Sequence, residues 1–335
     1  MSGIPRGIAR GLVWVAALGI AAWGTLALWF AGPDPPLLRA ALAMLVAAAA
    51  LAVPIWTRTP GRAALRLAIV LATLLLWWSA LWPSNHRVWA ADVAQTPTAE
   101  IDGDRVVVHG VRSFSYRGPD HYTERWETRS YDLDALRGLD LFLSYWGSPS
   151  IAHTILSWEF EGGEHLAISI ETRKERDEAY SALAGFFRNY ELIYVAGDER
   201  DLVELRTNHR GEEVYLYRLA TPAPRARALL LDYLREMNRL AVEPAWYNAL
   251  TTNCTTSIFT HALRVAGELP RSWKILANGH LDEWLYERGI VNTALPFPEL
   301  RSASHINQRA RSADGQADFS ARIRQRLPAR PPPPR

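Results

Sequence analysis

Apolar and polar positions divide the chain into two regimes. Over residues 11–31, 40–56 and 67–82 apolar residues run almost without interruption, at or near the length an α-helix needs to cross a bilayer. Three membrane-spanning helices are predicted, because a cleaved signal peptide would show one shorter apolar core and a small-residue exit. From about Asn85 the pattern changes to that of a globular domain. Residues 105–111, 123–131, 151–160, 166–172, 191–196, 202–206 and 213–219 read as strands by alternation and β-branched or aromatic content. Residues 177–190, 225–240 and 254–266 repeat at helical spacing, with 281–287 a shorter candidate. Strands gather first and long helices later, which predicts an α+β domain with an antiparallel sheet. The expected organisation is a membrane unit over 1–84, a globular domain over 85–306 and a disordered Arg/Pro-rich tail over 307–335.

Charge sets the orientation. Arg6 and Arg10 precede the first span, Arg58, Arg62 and Arg66 separate the second from the third, and the loop between the first two carries only Arg39. The positive-inside rule then places the N-terminus and the second loop in the cytoplasm, and everything after Trp82 on the far side, which in a bacterium is the periplasm. Trp77, Trp78, Trp82 and Trp89 cluster where the third span ends, as an interfacial aromatic belt would. A formal charge of +2 over 335 residues gives no reason to expect nucleic acid as a partner, and one cysteine excludes an internal disulfide.

That cysteine, Cys254, opens a helical pattern in which Ile258, Phe259, Ala262, Leu263 and Ala266 share one face before Gly267. In the first turn, free backbone N–H groups and the helix dipole favour a thiolate. The alternative is a small buried hydrophobe. Against it stand the polar neighbours in TTNCTTS and an oxidising compartment, where an unused thiol is a liability.

A thiol nucleophile needs a base. His261 lies about two turns along the same helix, roughly 10 Å away by the helical rise, and cannot reach. His153 stands at the start of the strand SIAHTILSWEF. A three-residue loop with a glycine bulge at Gly162-Gly163 would bring Leu156, Trp158 and Phe160 to the same side as Leu166, Ile168 and Ile170. The other side then carries His153, Ser157, Ser169, Glu171 and Arg173, with Glu171 diagonal to His153. The candidate catalytic set is Cys254 as nucleophile, His153 as base, and Glu171 or Ser169 orienting the imidazole. Asn253, Tyr247 and Thr255 are candidates for oxyanion binding or support. His280, downstream of the cysteine, competes with His153 as the base. No cofactor is expected, and the histidines have neither the spacing nor the partners of a zinc site.

The segments IAHTILSWEF, LAISIETRKE, ELIYVAGDERDLVELRT and YNALTTNCTT resemble, in order, the signature blocks of the bacterial family named for the Lnb periplasmic domain. The resemblance covers about residues 112–285. It implies a circularly permuted papain-like or NlpC-type fold, similar to lecithin retinol acyltransferase, in which histidine precedes cysteine. That order favours His153 over His280. Some members of the family are lipoprotein N-acyltransferases, so the implied activity is a thiol acyltransferase moving an acyl chain from phospholipid to a lipoprotein amine, with both as partners at the membrane. Asp198, Arg200, Asp201, Arg206 and Tyr247 match signature positions too, although paired acidic and arginine side chains would equally serve to close a turn. The same machinery would suit a cysteine peptidase, an amidase or a phospholipase of the envelope, and a non-enzymatic scaffold with an inert Cys254 is the third alternative.

Overall fold

The computed structural model describes residues 5–270 and 272–332. The chain resolves into two units, one running to Ser84 and including Tyr180–Tyr190, the other formed by Asn85–Ala179 and the chain from Glu191 onward.

The first unit holds helices α1 (Arg6–Ala31), α2 (Pro36–Trp56) and α3 (Pro60–Ser79), all long and apolar enough to cross a membrane. The last two start on proline, which lacks the N–H that a first turn would leave unsatisfied. Their seam is built largely from small residues, Ala17, Ala21, Ala50 and Ala63, beside Val13 and Leu67, which lets the helix backbones approach closely. The helix expected over 177–190 does not form. Only a 3-10 turn at Ala184–Phe186 appears. Gly185 disfavours helix, Arg188 takes a left-handed φ of 47°, and Phe187 stacks on Phe30 instead of lining a helical face.

In the second unit the strands are β1 (Thr98–Asp102), β2 (Arg105–Arg112), β3 (Ser115–Gly118), β4 (His121–Thr123) and β5 (Trp126–Asp132), then β6 (Leu136–Tyr145), β7 (Ala152–Phe160), β8 (His165–Arg173), β9 (Glu191–Gly197) and β10 (Glu213–Leu219). The main sheet runs β1-β2-β9-β8-β7-β6-β10, with β5 also on β2, while β3 and β4 form a separate hairpin. One junction, β2 with β9 at Arg112 and Gly197, is parallel, so the α+β domain has a mixed sheet where an antiparallel one is expected. The helices are α4 (Glu199–Leu202), α5 (Ala223–Val242), α6 (Cys254–Ala266), α7 (Trp273–Leu276), α8 (Leu281–Glu287), α9 (Phe297–Ser304), α10 (Asn307–Ser312) and α11 (Phe319–Ile323). Residues 202–206, expected as a strand, are helical: Asp198 caps α4 by accepting the Arg200 N–H, and a π turn follows at Leu205–His209.

The β7–β8 hairpin pairs Leu156 with Ile168 and Trp158 with Leu166. Its connection, Glu161–Gly163, needs positive φ at Gly162 (75°) and Gly163 (81°), which glycine adopts without steric cost. As the alternation predicts, Leu156, Trp158, Phe160, Leu166, Ile168 and Ile170 share one core, covered by Leu230, Tyr233, Leu234 and Met237 of α5. The indole N–H of Trp158 donates to the Ala226 carbonyl at 2.9 Å, satisfying its one polar group within this core.

The other sheet face overturns the expected disordered tail over 307–332, residues 333–335 lying outside the described residues. Phe142, Ile155, Ala167, Ile193 and Val195 are covered by Ile306, Ala310, Ala313, Phe319 and Ile323 from the C-terminal helices. Arg324 pairs with the wholly buried Asp140 at 2.8 Å and Glu199 at 2.7 Å, and Arg330 pairs with Asp140 and Glu159. Few apolar residues suffice because the sheet supplies the rest of the apolar surface. The arginines are counter-ions to carboxylates that would otherwise be buried alone.

Candidate active site

Cys254 is the first residue of α6, and the helix begins there because Asn253 caps it. The Asn253 Oδ1 accepts the N–H groups of Thr255 (3.0 Å) and Thr256 (2.9 Å), while the Thr256 hydroxyl accepts the Asn253 N–H at 2.9 Å. This reciprocal box fixes the first turn. The Asn253 amide NH2 donates to the Ala249 carbonyl at 2.8 Å, so both ends of that side chain serve the turn. The cap takes the Thr255 and Thr256 amides, not the N–H of Cys254.

His153 enters from the start of β7 and is 8% exposed. Its Nε2 lies 2.6 Å from the Ser169 hydroxyl and 3.1 Å from Glu171 Oε1. Ser169 in turn donates to Glu171 Oε1 at 2.6 Å. The hydroxyl proton is thus committed to the carboxylate, and Ser169 receives the Nε2–H. With Nε2 taken, Nδ1 is the nitrogen left for the Cys254 thiol, whose titration is linked to that of His153; the sulfur lies 3.7 Å from the Thr255 hydroxyl and 4.0 Å from Asn278 Nδ2. Serine and glutamate, alternatives in the sequence, lie in series behind His153.

Electrostatics favour a charged pair. Burial opposes an imidazolium at His153 and Arg206 opposes it too, but the Glu171 carboxylate and the hydrogen bonds to Cys254 and Glu171 outweigh them, raising its pKa from 6.5 to about 9. Burial likewise pushes the Cys254 thiol up. The bond and charge of His153, a backbone hydrogen bond from Thr154 and the Thr255 hydroxyl pull it down further, so the thiol titrates below its ordinary range. Glu171 is disfavoured as an anion by burial and held well below the usual carboxylate range by His153, Arg206 and Ser169.

Two residues outside the candidate set tie the site together. Arg206 reaches from the π turn to Glu171 Oε1 at 2.8 Å and anchors its other arm on the Leu202 carbonyl at 2.8 Å. Asn278 joins the two chain segments that carry the pair. Its Oδ1 accepts the N–H of Ala152 at 2.9 Å, and its Nδ2 donates to the Ala152 carbonyl and to the Thr255 hydroxyl at 2.5 Å. The clamp therefore grips the residue before His153 and the residue after Cys254. Thr255 also lies 3.3 Å from the Thr154 hydroxyl.

The remaining candidates fall elsewhere. His280 packs against Trp273 with ring centroids 5.2 Å apart and lies 3.9 Å from Glu283. His261 is buried between Tyr194 and Asp232, each at 2.7 Å. Tyr247 packs half-buried against the larger core. Asp198 caps α4 and pairs with Arg129 at 2.9 Å, and Asp201 is bound by Arg112 at 2.7 Å, both turn-closing roles. Glu204, His209 and Asp314 bring potential ligand atoms within 4.8 Å of one another. The Gly315 N–H and Asn208 already bond the two carboxylates, and Cys254, His153 and Glu171 take no part.

Residues 122–279 match the profile of the Lnb N-terminal periplasmic domain family. This region belongs to that family. The match includes His153, Ser169, Glu171, Arg206, Cys254 and Asn278. No curated protein and no solved structure matches the chain. With three apolar helices ahead of an Lnb domain, the protein is an inner-membrane protein whose C-terminal domain is periplasmic.

Proposed function

We propose that this Lnb-domain protein is a membrane-anchored thiol acyltransferase that moves an acyl chain from phospholipid to the α-amine of a lipoprotein through a thioester on Cys254. The observation that carries the reading is the hydrogen-bonded series His153–Ser169–Glu171 coupled electrostatically to Cys254, with the thiol shifted toward thiolate. Family membership agrees with it. The order of histidine before cysteine supports reading the domain as a permuted papain-like fold.

The thiolate attacks the carbonyl carbon of a phospholipid ester. The Cys254 N–H, at the positive end of α6, donates to the developing oxyanion. As the C–O bond breaks, the His153 imidazolium gives its proton to the departing alkoxide, releasing lysophospholipid. The neutral imidazole then takes a proton from the lipoprotein amine as it attacks the thioester, and the thiolate leaves with the C–S bond electrons. Glu171 favours the imidazolium formed at each end of the cycle, and Ser169 keeps Nδ1 directed at sulfur. Held at the membrane by its spans, the domain meets both lipid substrates at the high effective concentration of a surface.

Vesicles holding the full-length protein, acyl-labelled phospholipid and a diacylglyceryl peptide test the reading. Label appears on the peptide amine with wild-type protein and is lost in Cys254→Ala. Label released only as free fatty acid would replace acyl transfer with hydrolysis, and an active Cys254→Ala variant would remove the nucleophile from the account.

A further inference from the structure

The segment joining β8 to β9 is not accounted for by the chemistry above. Its sequence, AYSALAGFFRNY over 179–190, is mostly apolar and carries no charge until Arg188. Tyr180–Tyr190 packs as part of the membrane unit, although it is covalently inserted between two strands of the periplasmic sheet. Contacts of Arg188 and Phe187 fasten it there. Arg188 donates to the Trp78 carbonyl at 2.5 Å and lies over the Trp78 ring at 4.8 Å. It also reaches the Leu81 carbonyl at 3.4 Å, so a cation caps the carbonyl end of α3. Phe187 stacks on Phe30, one residue from the end of α1, with centroids 5.7 Å apart.

Those anchor points lie at the periplasmic ends of two spans, which sets the depth of the segment: the boundary where hydrocarbon gives way to headgroups. The segment is also closed on itself, the Ser181 N–H donating to the Tyr190 hydroxyl at 2.9 Å. Phe187 and Tyr190 turn inward, 7% and 1% exposed, whereas Tyr180, Leu183 and Phe186 turn outward at 52%, 48% and 45%. An outward apolar triplet at that depth, beside a tryptophan-rich helix end, has the composition of an interfacial anchor. Arg188 holds its left-handed backbone, a strained state for a residue with a Cβ.

We infer that Tyr180–Tyr190 is an interfacial loop that seats Tyr180, Leu183 and Phe186 among the phospholipids of the periplasmic leaflet. The occupant of this apolar surface is phospholipid, because the surface continues the lipid-facing exterior of the membrane helices. For the reaction proposed above, and resting on that reading, the loop engages the acyl donor; along the chain it follows β8, the strand that ends just past Glu171.

The lipid contact is tested without turnover. Full-length protein carrying p-benzoylphenylalanine in place of Leu183 or Phe186 is reconstituted in phosphatidylethanolamine/phosphatidylglycerol vesicles and irradiated, and lipid adducts are read by mass spectrometry. The lipid-facing Ile69 of α3 and the exposed Ile101 of β1 are the two reference positions. Adduct yields at 183 and 186 matching position 69 are expected; yields at the level of position 101 would overturn the inference. Delivery of the donor is read separately, in wild-type protein that turns over. The double variant Leu183→Asp/Phe186→Asp should raise KM for vesicular phospholipid about five-fold or more while kcat holds, and an unchanged KM would overturn the delivery role while leaving the crosslinking result to stand alone.

Discussion

Replacing Glu171 by glutamine removes the charge that holds His153 protonated and keeps the shape of the side chain. A rise in the His153 pKa from 6.5 to about 9 corresponds to about 3 kcal/mol in favour of the imidazolium. Burial works against that charge, so the opposing pull of Glu171 is larger than the net. The substitution also leaves the Arg206 guanidinium, 2.8 Å from Glu171 Oε1, without its counter-charge, and Arg206 disfavours a charged His153. The thiolate–imidazolium pair should therefore fall in population by about 100-fold if nothing compensates, or about 10-fold if the amide keeps half of the hydrogen bonding. Cys254 is the single cysteine of the chain, so its alkylation by iodoacetamide reports the thiolate directly, and the assay needs no substrate. Wild-type protein should react well below the pH of an ordinary thiol, and Glu171→Gln should react at least about 10-fold more slowly at pH 7. A superimposable pH profile for the two proteins would refute the electrostatic role given to Glu171.

Other outcomes follow from the same geometry. In His153→Ala the burial of Cys254 is no longer opposed by its largest compensating partner, so the thiol should titrate above its ordinary value and the alkylation profile should move to higher pH. Asn278→Ala leaves the Ala152 amide and carbonyl and the Thr255 hydroxyl without their partner; a loss of about 2–4 kcal/mol is expected in urea unfolding, with slower alkylation at neutral pH as the pair separates. Arg324→Met leaves the buried Glu199 without its arginine, while Asp140 keeps Arg330, and should cost about 3 kcal/mol, read as faster proteolysis of the C-terminal helices.

The hairpin and the cysteine helix were legible because local rules set them. Side-chain alternation and two adjacent glycines fix the β7–β8 register, and an asparagine ahead of Cys254 with a threonine three positions on fixes the helix start. What the sequence concealed depends on distant partners. Strand β6 is buried on both faces, 140–145 among them, and so shows no period of two. Asn278 makes its contacts across 23 and 126 residues of chain, so no local pattern marks it. Arg206 lies in a segment that reads as a strand by composition, and its partner is 35 residues away. The tail misleads for a related reason. Phe319 and Ile323 stand i and i+4 on a short helix surrounded by arginines, a weak apolar stripe until an uncovered sheet face and two buried carboxylates are supplied.

The central claim is that Cys254 receives an acyl group, and the mass of the intact protein after incubation with phospholipid tests it most directly. Wild-type protein should gain one acyl mass on the peptide containing Cys254, sensitive to hydroxylamine as a thioester is, and the gain should be absent in Cys254→Ala. An unmodified Cys254, with neither adduct nor released fatty acid in the wild-type sample, would contradict it.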